Sequence, residues 1–167
     1  PQVRALRAHD RRPALPGTSL MGALRSRAAW LAKISNGPDN DNIIKDLFGA
    51  APENANPARK ARLMVDTIVC IDDGAQTMMT SVKLDRFSAG PIDGGLFTTE
   101  CVADPVFHVD LRLSPQTTRE AIRFIKEILA PDLEKNGIKL GHSAASGFGW
   151  FSVSAPCAHL EVQVDEQ

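Results

Sequence analysis

Leu15-Pro16-Gly17-Thr18-Ser19-Leu20-Met21-Gly22-Ala23-Leu24-Arg25 reads as a turn that opens directly into a helix. Pro16-Gly17 is a turn dipeptide. Thr18 and Ser19 are natural N-cap residues, and an apolar-periodic segment runs on from them over 19–34. A loop that ends at a helix N-terminus presents unpaired N–H groups and a partial positive charge, so this turn is a candidate anion site. With Leu20 as origin and about 100° per residue, Ala23, Leu24, Ala28, Trp30 and Leu31 share one arc. Gly22, Arg25, Ser26, Ala29 and Lys33 share the other. Glycine in a helix costs about 1 kcal/mol relative to alanine, and a close backbone approach at Gly22 would explain it. Arg27 falls inside the apolar arc, so either it is paired at the edge of the core or the helix phase is off.

Upstream, residues 1–15 carry Arg4, Arg7, Arg11 and Arg12 with no periodicity and read as a loop or arm. Downstream, 42–49 reads as a short helix closed by Gly49, and 62–71 as a strand ended by the turn Asp72-Asp73-Gly74. Residues 77–84 and 96–102 read as strands around a glycine-rich excursion. Phe107, Val109, Leu111 and Leu113 alternate with His108, Asp110 and Arg112, the pattern of a half-buried strand. The second helix covers 116–129, capped by Thr117 or Thr118, with Ala121, Ile122, Ile125, Ile128 and Leu129 as its stripe and a bend or break at Pro131. Ile138–Leu140, a glycine loop over 141–149 and strands near 149–154 and 159–164 complete the chain. Helix, strand, β-excursion, strand, helix, strand is an α+β order. It matches a ferredoxin-like, RRM-like βαββαβ plan with its first strand missing. The expectation is one domain over 1–167, with a projecting hairpin at about 77–104, cut from something longer, since the chain opens on Pro1.

The composition of the 167 residues is that of an ordinary globular chain, 43% hydrophobic and 23% charged. No apolar run reaches the length of a membrane span and the N-terminus is no signal peptide, so a cytoplasmic protein without a membrane partner is expected. Cys70, Cys101 and Cys157 lie far apart without a CxxC, which suggests neither a disulfide framework nor a zinc site. The net charge of −1 hides a split. Residues 1–62 hold eleven Lys/Arg against five Asp/Glu, and the remainder holds eight against fifteen. A basic half favours a polyanion partner there.

Chemistry-bearing residues are sparse. The four histidines have no motif context for a Ser–His–Asp arrangement. Asp72-Asp73 and Asp85 could bind a metal but also read as ordinary turn aspartates. Asp10, beside His9 in the basic arm, could position a divalent metal or polarise a ribose 2′-OH; the alternative for Asp10 is a turn aspartate paired with a neighbouring arginine. The loop Gly141–Gly149 lacks the lysine of a P-loop but allows a phosphodiester backbone to come close. Arg86-Phe87 is either a base-stacking or wedge element or, for Phe87, ordinary core.

Taken together these stretches resemble the RAMP superfamily of CRISPR-associated proteins, found as backbone subunits and fused domains of type III effectors. Residues 15–25 are similar to the family's "IPGSSLKGALR" segment. Leu47-Phe48-Gly49 with Ala61-Arg62-Leu63-Met64-Val65 is similar to its "LFG…SRLxV" segment. Leu140-Gly141 through Gly147-Phe148-Gly149 is similar to its C-terminal glycine loop, and Leu84-Asp85-Arg86-Phe87 through Phe97 to its "IDRxT…ALF" thumb. Met21 stands where a lysine is common, and 142–146 carry no Arg or Lys.

The resemblance implies a module that binds guide RNA along a filament of like subunits, with a thumb that kinks the guide–target RNA duplex, in an antiviral ribonucleoprotein. Gly17, Thr18, Ser19, Gly22, Arg25, Arg86, Phe87, Gly141, His142, Gly147 and Phe148 are the expected RNA contacts. Binding needs no cofactor. A second reading is an endoribonuclease that cleaves target RNA with Asp10 and a divalent metal such as Mg. A third is a ferredoxin-like protein-interaction domain outside CRISPR systems.

Overall fold

The computed structural model describes residues 4–35, 37, 39–52, 57–141 and 147–153. In chain order its elements are α1 (Gly17–Ser35), α2 (Asn40–Phe48), β1 (Leu63–Asp72), β2 (Ala75–Leu84), β3 (Pro91–Ala103) and β4 (Val106–Leu113). Then come α3 (Arg119–Phe124), a π-helical turn (Ile125–Leu129), α4 (Ala130–Asn136), β5 (Ile138–Lys139) and β6 (Trp150–Phe151). Strands pair two by two, β1 with β4, β2 with β3 and β5 with β6. From the first helix onward this is the ferredoxin-like order, with the β2–β3 hairpin inserted between β1 and β4. The strand expected at 159–164 lies outside the described residues.

The chain divides into two compact units. The helical unit takes Pro16–Asp66 and the chain from Asp110 onward. Its core is the apolar arc of α1 (Leu20, Leu24, Ala28, Leu31, Ala32), Ile44, Leu47 and Phe48 of α2, and Ala121, Phe124, Ile125, Leu129, Ala130 and Leu133 of the long second helix. Leu47 is fully enclosed; burying such a side chain contributes about 1.5–3 kcal/mol.

Two expectations change in this unit. Trp30 is 52% exposed rather than core. The Arg27 guanidinium lies 4.5 Å from its ring centroid, a cation–π contact at the rim of the arc. Nor does Pro131 break the helix. The N–H of Ala130 donates to the carbonyl of Ile125, a five-residue π-type bond that puts the ladder out of step just ahead of the proline. The missing N–H and bulky ring are thereby accommodated, and the helix continues to Asn136, where Gly137 ends it at φ 65°. At the other end Thr118 caps α3, its hydroxyl accepting from the N–H of Ala121 at 3.3 Å.

The hairpin unit takes the arm before Pro16 together with Thr67–Val109. β2 and β3 pair antiparallel from Ala75↔Ala103 to Val82↔Leu96, with a register shift between Val82 and Leu84. The arm is more ordered than its sequence suggests. It folds back on itself, Ala14 donating to Leu6 at 2.9 Å and Ala8 to Arg12 at 2.9 Å, and Arg11 takes the left-handed conformation at φ 69°. Arg7 reaches Glu100 at 2.6 Å, while Arg12 donates to the carbonyl of Cys70 at 3.3 Å and lies 3.7 Å from Asp73. Part of the basic flank is therefore neutralised within its own unit.

Arg27 answers its own ambiguity: it is paired. Its Nε and Nη2 donate to the two carboxylate oxygens of Asp132 at 2.6 and 2.7 Å, joining α1 to α4. This bidentate pair, with Asn136 donating as well, holds the Asp132 carboxyl below the usual carboxylate range. A lowered folded-state pKa contributes stability above the ordinary value of about 3.9, which is lost as the pH falls through the folded value. Asp132→Asn is expected to cost about 2 kcal/mol at neutral pH. It is also expected to flatten the acid-side fall of the thermal midpoint below about pH 4, both readable by circular dichroism melts across pH.

Candidate nucleic-acid interface

The first turn of α1 starts at Gly17, two residues before the expected start at 19, because both Ser19 and Leu20 donate to the carbonyl of Pro16, at 3.0 and 3.2 Å. Thr18 and Ser19 therefore sit inside the first turn as exposed residues rather than capping it. A Cβ at Gly17 would lie 3.6 Å from the Cβ of Val65, which places the start of α1 against β1. Helical spacing puts Thr18, Gly22 and Arg25 on one face, and all three are exposed. A Cβ built on Gly22 meets nothing within 4 Å. No packing inside the described protein accounts for that glycine. Arg25 likewise has no acidic partner among the described residues.

The glycine loop is anchored at Gly149 and open at Gly141 and Gly147. The N–H of Leu140 donates to the Gly149 carbonyl at 2.8 Å, and a Cβ at Gly149, φ 70°, would overlap the Leu140 carbonyl. Gly141 and Gly147, at φ 88° and 87°, have open space where a side chain would stand. Both therefore need glycine for conformation rather than for room. Phe148 is half-buried. His142, and the loop through 146, lie outside the described residues. Trp150 on β6, 58% exposed, carries the Lys139 ammonium 5.7 Å from its ring centroid. Sequence reading passed over this pair because its two members are distant in the chain and meet only across the β5–β6 ladder.

In the hairpin unit Asp85 builds the tip. One carboxylate oxygen accepts from the N–H of Ser88 at 2.7 Å, the N–H of Phe87 at 2.9 Å and the Ser88 hydroxyl at 3.0 Å. The N–H bonds of Ser88 and Phe87 hold its carboxyl below the usual range. Ala89 at φ 54° completes the reversal. This fixed tip thrusts Phe87 into solvent, 96% exposed, which excludes the ordinary-core reading in the described protein. Arg86 beside it is exposed too. Met78, Met79, Val82, Leu84, Ile92 and Leu96 expose apolar surface along both strands.

Asp10 is an exposed turn residue of the arm, accepting from the N–H of Arg12 at 3.0 Å, with the Arg12 guanidinium 3.9 Å away. No group of three His, Cys, Asp or Glu side chains is gathered for a metal among the described residues. Among the described residues, the surroundings of Asp10 do not fit a divalent-metal centre. No described helix is long and apolar enough to cross a membrane.

Of the sequence-marked residues, Gly17, Thr18, Ser19, Gly22, Arg25, Gly141, Gly147 and Phe148 fall in the helical unit. Asp10, Arg86 and Phe87 fall in the hairpin unit. No curated protein sequence matches the chain. A solved structure described as a Type IV-B CRISPR Complex is similar in fold, with TM-score 0.60 and 16% identity over 93% of this chain and 83% of that one. The family model of the RAMP superfamily matches residues 2–152. Over nearly its whole described length, then, the chain belongs to the RAMP superfamily.

Proposed function

We propose that the chain is an RNA-binding subunit or domain of a CRISPR effector complex, gripping the guide backbone with the start of α1. The observation that carries this is Gly22. It is a helix-surface glycine that leaves a backbone-deep opening beside Arg25 and one turn from the helix N-terminus. A phosphodiester is what such a place accommodates: the start of the helix lies just upstream on the same face, the glycine lets the anion approach, and the arginine neutralises it. Family membership and the fold likeness to a CRISPR complex support the reading. It does not depend on effector type: the motifs suggest type III, and the similar structure is a type IV-B complex. Like subunits and a target RNA are the remaining partners of this reading, with Phe87 as the element that enters the duplex.

Three outcomes test it. Arg25→Glu should weaken binding of guide-length RNA by about ten-fold irrespective of sequence and lower the slope of log affinity against log salt by about 1, measured by fluorescence anisotropy. An unchanged slope removes Arg25 from the interface. Gly22→Ala should raise thermal stability by about 0.5–1 kcal/mol, since its Cβ meets nothing in the protein, yet reduce RNA affinity. A variant that gains stability and keeps full affinity would sink the close-approach idea. Phe87→Ala should leave stability within about 0.5 kcal/mol and cost about 1–3 kcal/mol of binding to a guide–target duplex, read by paired melts and titrations.

A further inference from the structure

We infer that the helical unit carries a second anion site, a groove between the end of α2 and the starts of β1 and α3, which takes the phosphate groups of nucleotides. The groove is open, about 530 Å3 in volume, and its walls include Lys45, Asp46, Arg59, Lys60, Arg62 and Ser114. Nucleotide-sized ligands occupy pockets of about 300–1,000 Å3. Four of its lining residues are cations and one is a carboxylate, an excess of positive charge in a concave surface.

The carboxylate is already committed. Asp46 pairs with Arg62 at 2.9 Å and accepts from the N–H and hydroxyl of Thr118 at 3.3 and 3.2 Å. Lys45 is paired with Asp41 at 2.5 Å. Arg59 and Lys60 are left, exposed and without a carboxylate partner among the described residues. Arg59 is held in place by its backbone. Arg59 exchanges both main-chain bonds with Ala50, at 2.9 and 3.0 Å. The chain passes so close to Gly49, φ 76°, that a Cβ there would stand 2.7 Å from the Arg59 carbonyl. On the far wall the N–H of Ser114 donates to the Arg62 carbonyl at 2.8 Å, and Gln116 adds a neutral donor. Cations, a hydroxyl and an amide converging on a concavity form an oxyanion-binding set.

This surface is distinct from the start of α1. Gly17 packs at the Cβ of Val65, whereas Met64 lines the groove, and neighbouring residues of a strand point to opposite faces. The inference rests on the proposed RNA reading only for the source of the phosphate, which is either a polynucleotide backbone or a free nucleotide.

The test uses the 167-residue chain, titrated with an oligouridylate of about ten nucleotides, with uridine monophosphate and with poly-glutamate, each over a range of salt. Arg59→Glu/Lys60→Glu should weaken oligouridylate binding by about ten-fold or more and lower its salt slope by about 1.4, two phosphate contacts on a single strand. Loss of oligouridylate binding alone identifies a polynucleotide; equal loss of the monophosphate identifies a free nucleotide. Arg59→Gln/Lys60→Gln should repeat the loss with an unchanged thermal midpoint, which separates it from misfolding. Unchanged binding of both phosphate probes in the double variants overturns the inference. So does poly-glutamate bound as tightly as oligouridylate, since that marks an acidic protein as the occupant. If Arg25→Glu leaves RNA binding intact while Arg59→Glu/Lys60→Glu abolishes it, the groove stands and the α1 reading falls.

Discussion

One carboxylate sets the geometry of the helical unit. Asp46, only 12% exposed in its side chain, accepts from Arg62 at the entry to β1 and from Thr118, the cap of α3. The entry to β1 and the cap of α3 are thereby both fixed to one side chain on α2. A nearly buried carboxylate is tolerable only if its lone pairs are taken, so the arginine and the cap are both requirements of the same ion. Thr118 is doubly used, accepting from Ala121 while donating to Asp46. The Leu-Phe-Gly and Arg-Leu segments recognised in sequence are the two banks of this joint, with Gly49 giving the chain room to return past Arg59.

Much of this was legible because it is periodic or local. The arc of α1, the alternation through β4 and the excursion between β1 and β4 each rest on residues within a few positions of one another, and the structure keeps them. The alternation is imperfect where solvent reaches it: Leu111 is 43% exposed. The misses share a different cause. Arg27 with Asp132 spans 105 positions, Arg7 with Glu100 spans 93, and Trp150 with Lys139 needs the β5–β6 ladder to form. A charge count over the first 62 residues treats every cation alike. The fold separates those spent on internal partners, Arg7, Arg12, Arg27 and Arg62, from those such as Arg25 without one among the described residues. The continuation past Pro131 was illegible for another reason, since a π-type turn is a backbone adjustment with no side-chain signature.

Of the expected RNA contacts, the ones that rest most firmly on physical grounds are glycines, and this follows from what a nucleic-acid backbone demands. A cationic side chain on a long stem reaches a phosphate from many positions, so its location is weakly constrained. A main-chain N–H reaches one only if nothing stands between, so a missing Cβ is a positional statement. Gly49, Gly137 and Gly149 are each explained by a neighbouring carbonyl that a Cβ would strike. Gly141 and Gly147 are explained by their left-handed φ. Gly22 has neither excuse: it is helical, α1 runs unbroken through it, and its Cβ would stand in open space. A helix-interior glycine costs about 1 kcal/mol relative to alanine, and no contact within the described fold offsets that at Gly22. Arg25 stands exposed on the same face, without an acidic partner among the described residues.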